Sequence, residues 1–479
     1  MKEMTNDRMA NDEMPEGWSE APFSAVTVDP VQRVPASTEE IIYIDIGSVD
    51  RDTKTIKQPQ TMLGKDAPSR ARKVIKTGDV LVSTVRPNLN AVALVDRKYE
   101  GQFASTGFDV LRSPVLDPRW VFFSVRTPAF VERMTELVQG ALYPAVRSKD
   151  VRAFTIPIAP LAEQKRIADK LEAVLGRVDA CRARLDRVPD LLKRFRQSVL
   201  AAATSGQLTE DWREKNDAIQ PNTAQREVAE LIEARRKASS PKEKFKEPAS
   251  ADMSQWKVEV PPSWSVDSVS AFAECLDSIR VPVKREKRAN TKGLYPYYGA
   301  NGEVDRVDEY LFDDELVLVT EDETFYGREK PIAYRSSGKC WVNNHAHVLR
   351  AADETSSDYL CYALMYYEII PWLTGTTGRA KLTQGVLNAL PIAVPPKVEM
   401  IEIVRRVEAL FALADRIEAR LTAARAQVER LTPATLAKAF RGDLVPQDPN
   451  DEPASTLIAR ARSAEPAAPK IHHRHRRKS

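Results

Sequence analysis

The sequence runs to 479 residues, room for roughly three domains of ordinary size, and its 43% hydrophobic and 29% charged residues describe a chain that buries several cores. No run approaches the roughly 20 apolar residues of a membrane span, and the polar, acidic opening MKEMTNDRMANDEMPEGW lacks the apolar segment of a secretory signal, so a cytoplasmic protein with no membrane role is expected. A net charge of +3, from 71 basic against 68 acidic side chains, neither announces nor excludes nucleic acid; four cysteines (Cys181, Cys275, Cys340, Cys361) without a CxxC pair argue against a disulfide framework and a thiolate zinc site.

In chain order, residues 1–14 read as a disordered N-terminus, followed by a globular block at 15–155 that opens on PEGW. Its β-rich runs GDVLVSTV (78–85), NAVALV (90–95) and FDVLRS (108–113) predict strands of a small sheet, and WVFFSVRTPAFVERM (120–134) predicts an aromatic helix that packs as core. The proline-rich TIPIAP leads into a helical segment at 156–208. A charged connector at 209–255 follows, with a short helix expected over 223–237. A second globular block at 256–390 opens on PPSW, carries the strand runs ELVLVT (315–320), KPIAYR (330–335) and AHVLRA (346–351), and has its own aromatic helix, DYLCYALMYYEII (358–370). A second helical segment spans 391–445, and the Pro- and Ala-rich 446–479, ending KIHHRHRRKS, reads as a disordered basic tail.

The two halves are copies of one plan. Residues 163–208 align with 399–444 without a gap, and fourteen of the 46 pairs are identical, among them Glu163/Glu399, Ile167/Ile403, Leu185/Leu421 and Gly206/Gly442. The globular blocks share little identity, so two similar frames carry two different faces. Apolar residues recur in steps of four and three: Ile167, Leu171, Val174, Val178, Cys181, Leu185 and Leu192 in the first copy, Ile403, Val407, Leu410, Ile417, Leu421 and Val428 in the second. A 3.5-residue period held this long is a coiled-coil seam. An antiparallel pairing of the copies would give pseudo-twofold symmetry, with Pro189 kinking or splitting the first helix and Pro433 doing the same near the end of the second. The fold class is therefore α+β: two mixed α/β domains separated by long antiparallel coiled-coil helices, built as a pseudo-twofold internal repeat.

Catalytic signatures are absent from the sequence: there is no phosphate loop, no glycine-rich cofactor loop after a strand and no Asn/Asp-Pro-Pro-aromatic motif, so no catalytic residue is assigned. His345 and His347 stand two apart with no third metal ligand in view, and the acidic run Glu321, Asp322, Glu323 has the wrong spacing for paired Mg2+ carboxylates, so no metal site is assigned. The tail histidines His472, His473 and His475 fit a basic phosphate-contacting tail better than a metal site.

The turns do carry chemistry suited to DNA. In the first block Ser83, Thr84, Arg86, Asn88 and Asn90 cluster in STVRPNLN, with Lys65, Arg70, Arg72 and Lys73 before them and Tyr143, Arg147 and Lys149 after. In the second, Lys284, Arg285, Lys287, Arg288, Asn290 and Lys292 precede YPYYGANG with Tyr297, Tyr298 and Asn301, and the glycine-flanked GTTGRAK supplies Thr376, Thr377, Arg379 and Lys381. Arg and Asn make bidentate contacts to guanine and adenine edges, while Lys, Ser and Thr hold phosphates.

At LAEQKRIADKLEAVLGRVDACRARL, and again at YPYYGANGEVDRVDEYLF and GTTGRAKLTQGVLNALPIAVPP, the chain resembles the type I restriction-modification specificity (S) subunits over roughly 15–445. The resemblance implies two target recognition domains, each reading half of a bipartite double-stranded DNA site, with helices that set the unread spacer and dock two methylation (M) subunits. It also implies restriction (R) subunits in the assembly, with S-adenosylmethionine, ATP and Mg2+ bound by those partners and no cofactor in this chain. The second copy reads PPKVEM where the first reads PLAEQ, so the Glu-Gln pair occurs in full only as Glu163 and Gln164. Two other readings are a single-chain restriction enzyme or methyltransferase with a built-in recognition domain, which needs a cofactor or metal motif, and a coiled-coil scaffold without a DNA role, which predicts no footprint.

Overall fold

The structure is a computed structural model and describes residues 14–138, 143–216, 219–239, 245–283, 293–321, 325–373 and 380–463. Along the first 186 residues the elements are β1 (Ser19–Pro22), α1 (Phe23–Val26), β2 (Glu40–Ile44), β3 (Val49–Asp50), β4 (Thr55–Ile56), β5 (Gln60–Leu63), β6 (Ala71–Val74), β7 (Val80–Ser83), β8 (Val92–Leu94), β9 (Phe103–Ser105), β10 (Phe108–Leu111), α2 (Pro118–Ser124), α3 (Pro128–Glu136), α4 (Ser148–Arg152), β11 (Thr155–Ile158) and α5 (Leu161–Leu185). Then come α6 (Val188–Ser205), α7 (Glu210–Arg213), α8 (Thr223–Ala238), β12 (Ser265–Ser268), α9 (Val269–Phe272), β13 (Glu274–Cys275), β14 (Tyr295–Gly299), β15 (Gly302–Val307), β16 (Phe312–Thr320), β17 (Ala333–Val342), β18 (Ala346–Arg350), α10 (Glu354–Met365), α11 (Gln384–Ala389), β19 (Pro391–Val394), α12 (Lys397–Arg441) and α13 (Ala454–Ser463).

The chain divides into two units, Met1–Asp186 with Ala423–Ser479 and Arg187–Thr422. Each unit therefore holds one globular block, the start of the long helical segment that follows it, and the end of the other copy's segment. In the first unit a four-stranded sheet of order β5-β2-β9-β6 accompanies a three-stranded sheet of order β10-β7-β8. In the second, six strands run β13-β18-β16-β17-β14-β15. The strands that form the sheet interiors are the apolar runs: Val80–Ser83 and the Leu316–Val319 stretch of β16 are buried throughout, as residues flanked on both faces must be.

The two frames share a set of contacts. In the first unit β1 pairs antiparallel with β11, Ser19 opposite Ile158; in the second β12 pairs with β19, Ser265 opposite Val394. The tryptophan before each of those first strands donates its indole N–H to the buried glutamate at the start of the long helix: Trp18 to Glu163 Oε2 at 2.9 Å, and Trp264 to Glu399 Oε2 at 2.8 Å. Gly206 and Gly442 both sit at positive φ, where an added Cβ would strike Pro261 and Pro15 respectively at 2.5 Å, so each helical segment ends on the opening proline of a Pro-x-x-Trp turn. Even the capping helices correspond. Ala224 at the start of α8 donates its N–H to Ser263 O, and Ala454 at the start of α13 donates to Gly17 O.

The stretch at 446–463, expected to be disordered, is thus ordered: Ala454, Leu457 and Ile458 form a short apolar stripe that buries in the first unit's core, and Arg166 pairs with Asp451 at 2.7 Å. The remainder, including His472, His473 and His475, lies outside the described residues.

The helices pair antiparallel inside each unit. Arg182 meets Glu429 (2.9 Å) and Asp186 meets Arg425 (2.9 Å) in the first; Arg196 meets Asp415 (2.7 Å) and Arg406 meets Asp211 (2.5 Å) in the second. Of the seam, Ile167, Leu171, Val178, Leu192, Ile403, Val407, Leu421 and Val428 are buried, and Val174, Leu185 and Leu410 half-buried. Ile417 and Cys181 are exposed, contrary to the heptad reading; Ala414 and Leu421 carry the seam on either side of Ile417. The first helical segment is split, with α5 ending at Leu185 and Pro189 in the opening turn of α6, where its missing N–H has no partner to lose. Pro433 does not break α12. The aromatic helices pack as core: Trp120, Phe123 and Phe130 are buried, though in two helices, each capped by Asp117 or Thr127 with proline next, and Tyr359 is fully buried in α10.

Candidate nucleic-acid surfaces

In the first unit the turn after β7 is held in an unusual conformation. Pro87–Leu89 forms one 3-10 turn flanked by Arg86 at φ 50° and Asn90 at φ 45°, both left-handed. Asparagine tolerates that region, but for arginine it costs roughly 1 kcal/mol and persists only where the surroundings impose it. The loop at 143–147 imposes it: Val85 bridges Ala145, the Arg86 N–H donates to Pro144 O (2.8 Å) and the Val146 N–H to Thr84 O (2.9 Å). Two segments far apart in sequence are thereby zipped together, bringing exposed Arg86, Asn88, Tyr143 and Arg147 to one surface, with Tyr143 86% exposed and Lys149 just beyond. Exposed Arg70 borders the same strip, since Thr106 donates to Arg70 O and Thr84 to Gly107 O.

Other expected contacts are turned inward. Buried Ser83 donates to Val85 O and buried Thr84 to Gly107 O, while half-buried Asn90 donates its amide to Val125 O. Lys73 is buried, with Nζ on Phe108 O (2.6 Å) and near Asp109 (3.9 Å); burial pushes its ammonium below the usual range. Arg72 is half-buried and spends Nε on Ser69 O. All five side chains are spent on backbone carbonyls of the domain.

The sequence reading missed Lys54 and Arg126. Lys54 lies at φ 56° and donates to Asn90 O (2.6 Å); burial and the charge of Arg126 push it down to about 8. Burial likewise pushes Arg126 down to about 10, its guanidinium stacked over Phe122 and Phe123. Two undercompensated cations beside the strip are a spot that an anion such as a phosphate would relieve.

In the second unit one group of candidate contacts lies on the β14–β15 hairpin. Asn301 is exposed at its tip and accepts from Arg328 Nη2 at 2.7 Å. Lys381 is exposed. Tyr297 is buried, with the Val283 N–H donating to its hydroxyl, and Tyr298 is half-buried against Tyr334, so neither ring is a stacking platform. Lys339 over the Tyr310 ring, itself edge-on to Tyr295, is a surface group the sequence reading passed over. Lys284, Arg285, Lys287, Arg288, Asn290, Lys292, Thr376, Thr377 and Arg379 lie outside the described residues.

The two histidines differ because His345 lies in the turn before β18 and is exposed, whereas His347 lies inside the strand and is buried. His347 meets Asp277 and Glu321, partners that sequence spacing did not reveal; one ligand atom from each lies within 4.8 Å of the others. Arg280 bridges the two carboxylates, with Nη1 on Glu321 (2.7 Å) and Nη2 on Asp277 (3.1 Å), so the group is an ion-paired polar network.

One frame used twice, with unlike exposed polar faces and paired helices, defines a duplicated recognition protein. Residues 37–188 and 261–424 match the family described as type I restriction modification DNA specificity domain. The EcoKI specificity subunit of Escherichia coli K12 is 30% identical over 350 residues, covering 70% of this chain and 68% of that one; the StySPI specificity subunit of Salmonella potsdam is 27% identical over 465 residues, 92% of each. The solved HsdS subunit from Thermoanaerobacter tengcongensis is 25% identical with a TM-score of 0.56, over 90% of this chain and 98% of that chain. A chain from a type I R-M system, solved for its complex assembly and conformational transition, shares the fold at 24% identity with a TM-score of 0.66, over 90% and 99%. The chain belongs to the type I restriction-modification DNA specificity family, whose members are non-catalytic specificity subunits. Among the described residues no helix is long and apolar enough to cross a membrane.

Proposed function

We propose that each unit reads one half of a bipartite double-stranded DNA site, with the paired helices setting the unread spacer. The observation that carries this reading is the contrast between frame and face: the Trp-Glu clamp, strand pairing and capping helix recur in both units, while among the described residues the exposed polar groups do not. In the first unit Arg86, Arg147 and Asn88 read base edges, with Tyr143, Lys149, Lys54 and Arg126 on phosphates; in the second, Asn301 and Lys381 belong to the reading face.

The helices dock two methyltransferase subunits. Val398, Ile401, Leu413 and Ile417 on α12 are 39–54% exposed, apolar groups that a partner would cover. Restriction subunits complete the assembly in the cytoplasm, with S-adenosylmethionine, ATP and Mg2+ bound by the partners. The test replaces residues 15–155 with the corresponding block of another family member and maps methylated sites across a genome. One altered half-site supports modular reading; two altered half-sites, or none, refute it.

A further inference from the structure

His347 is 1% exposed and ties two chain segments together. Its Nε2 lies 2.6 Å from Leu382 O and its Nδ1 2.5 Å from Asp277 Oδ2. A carbonyl oxygen only accepts, so Nε2 donates. Burial alone would raise the Asp277 carboxyl, but the hydrogen bond and charge of His347, the Val348 N–H (2.9 Å) and Arg280 hold it below the usual range. The Asp277 carboxylate thus holds the other edge of the imidazole ring. Leu382 is fixed from the other side as well: its N–H donates to Glu321 O (2.9 Å), and its side chain is fully buried. The Glu321 carboxylate is held by Arg280, which also donates to Ala346 O (2.8 Å), and Gln384 donates to Cys275 Sγ (3.2 Å). Apolar packing alone leaves a backbone free to slide, whereas directional bonds on both the N–H and the C=O of Leu382 fix one position for the residue before it, exposed Lys381.

We infer that His347, clamped on Asp277, is the positioning residue that sets Lys381 against DNA by holding the Leu382 carbonyl. This rests on the second unit being a DNA reader. The test uses the full chain assembled with its methyltransferase partner on a duplex carrying the mapped target, comparing Lys381→Ala, His347→Leu, His347→Gln and the Lys381→Ala/His347→Leu double variant. Lys381→Ala lowers affinity about tenfold, with protection lost over one half-site only. His347→Leu does the same, while His347→Gln, which keeps an N–H donor for Leu382 O, recovers to within about threefold. The double variant is no weaker than either single one, because the two residues act through one contact. An unshifted calorimetric transition of the second unit, beside the still-protected half-site of the first, reports that each variant is folded. An inert His347→Leu beside a weakened Lys381→Ala, or additive losses in the double variant, overturns the positioning role alone. An inert Lys381→Ala overturns the second unit's reading at this position and the inference with it.

Discussion

Replacing Glu163 and Glu399 by glutamine distinguishes two residues that the repeat makes equivalent. Both are buried and both accept from a tryptophan indole. Glu399 Oε1 also accepts from Thr209 (2.6 Å) and pairs with Arg213 (2.5 Å). Glu163 Oε1 is buried with no hydrogen-bond partner, and burial raises its carboxyl despite the Trp18 bond and Arg166. Glu399→Gln therefore leaves Arg213, about one-fifth exposed, without its carboxylate, costing roughly 2–3 kcal/mol. Glu163→Gln keeps the oxygen that Trp18 uses and costs under ~0.5 kcal/mol at neutral pH.

Calorimetry reads this as a shift of roughly 4–10 °C in one unit's transition for Glu399→Gln and almost none for Glu163→Gln. The pH dependence carries a sign. A carboxyl raised in the folded state binds its proton more tightly there than in the unfolded chain, so its stabilising contribution is present below the unfolded value and is lost as pH rises through the folded one. Relative to wild type, Glu163→Gln must gain stability between pH 4 and pH 8. Equal shifts for the two variants, or a loss for Glu163→Gln that grows with pH, would refute the reasoning.

Arg86→Ala and Arg86→Gly both remove the guanidinium and weaken DNA binding by about 1–3 kcal/mol, but only glycine relieves the left-handed backbone; a titration with unchanged affinity for both removes Arg86 from the interface. Lys54→Met lowers the slope of log affinity against log salt by about one, measurable by anisotropy across salt concentrations; an unchanged slope denies it a phosphate contact. Leu457→Ala destabilises the first unit by roughly 2–3 kcal/mol in a denaturant titration, since Leu457 is 2% exposed in that core, whereas a dispensable tail would leave the midpoint unchanged.

The helical frame was legible because a 3.5-residue period and a gapless 46-residue duplication are properties of sequence alone. The identity Glu163/Glu399 was visible too, but its tryptophan partners lie 145 and 135 residues away, so the clamp was not. The candidate surfaces were half legible. Composition marked STVRPNLN as a turn, yet a strand covered on both faces buries Ser83, a backbone carbonyl captures Lys73, and the Val85–Ala145 bridge with its neighbouring hydrogen bonds brings Tyr143 beside Arg86. Lys54 escaped notice because its role depends on a left-handed backbone and burial next to Arg126, neither of which leaves a compositional trace. The ordered α13 was hidden by its Pro- and Ala-rich surroundings, its apolar stripe being only three residues.

Hydroxyl-radical footprinting of the chain bound with its methyltransferase partner on target DNA tests the central claim most directly. Two protected tracts flanking an unprotected spacer, with Arg86→Ala thinning one and Lys381→Ala the other, is the predicted pattern. A single continuous tract, or both variants weakening the same one, contradicts it.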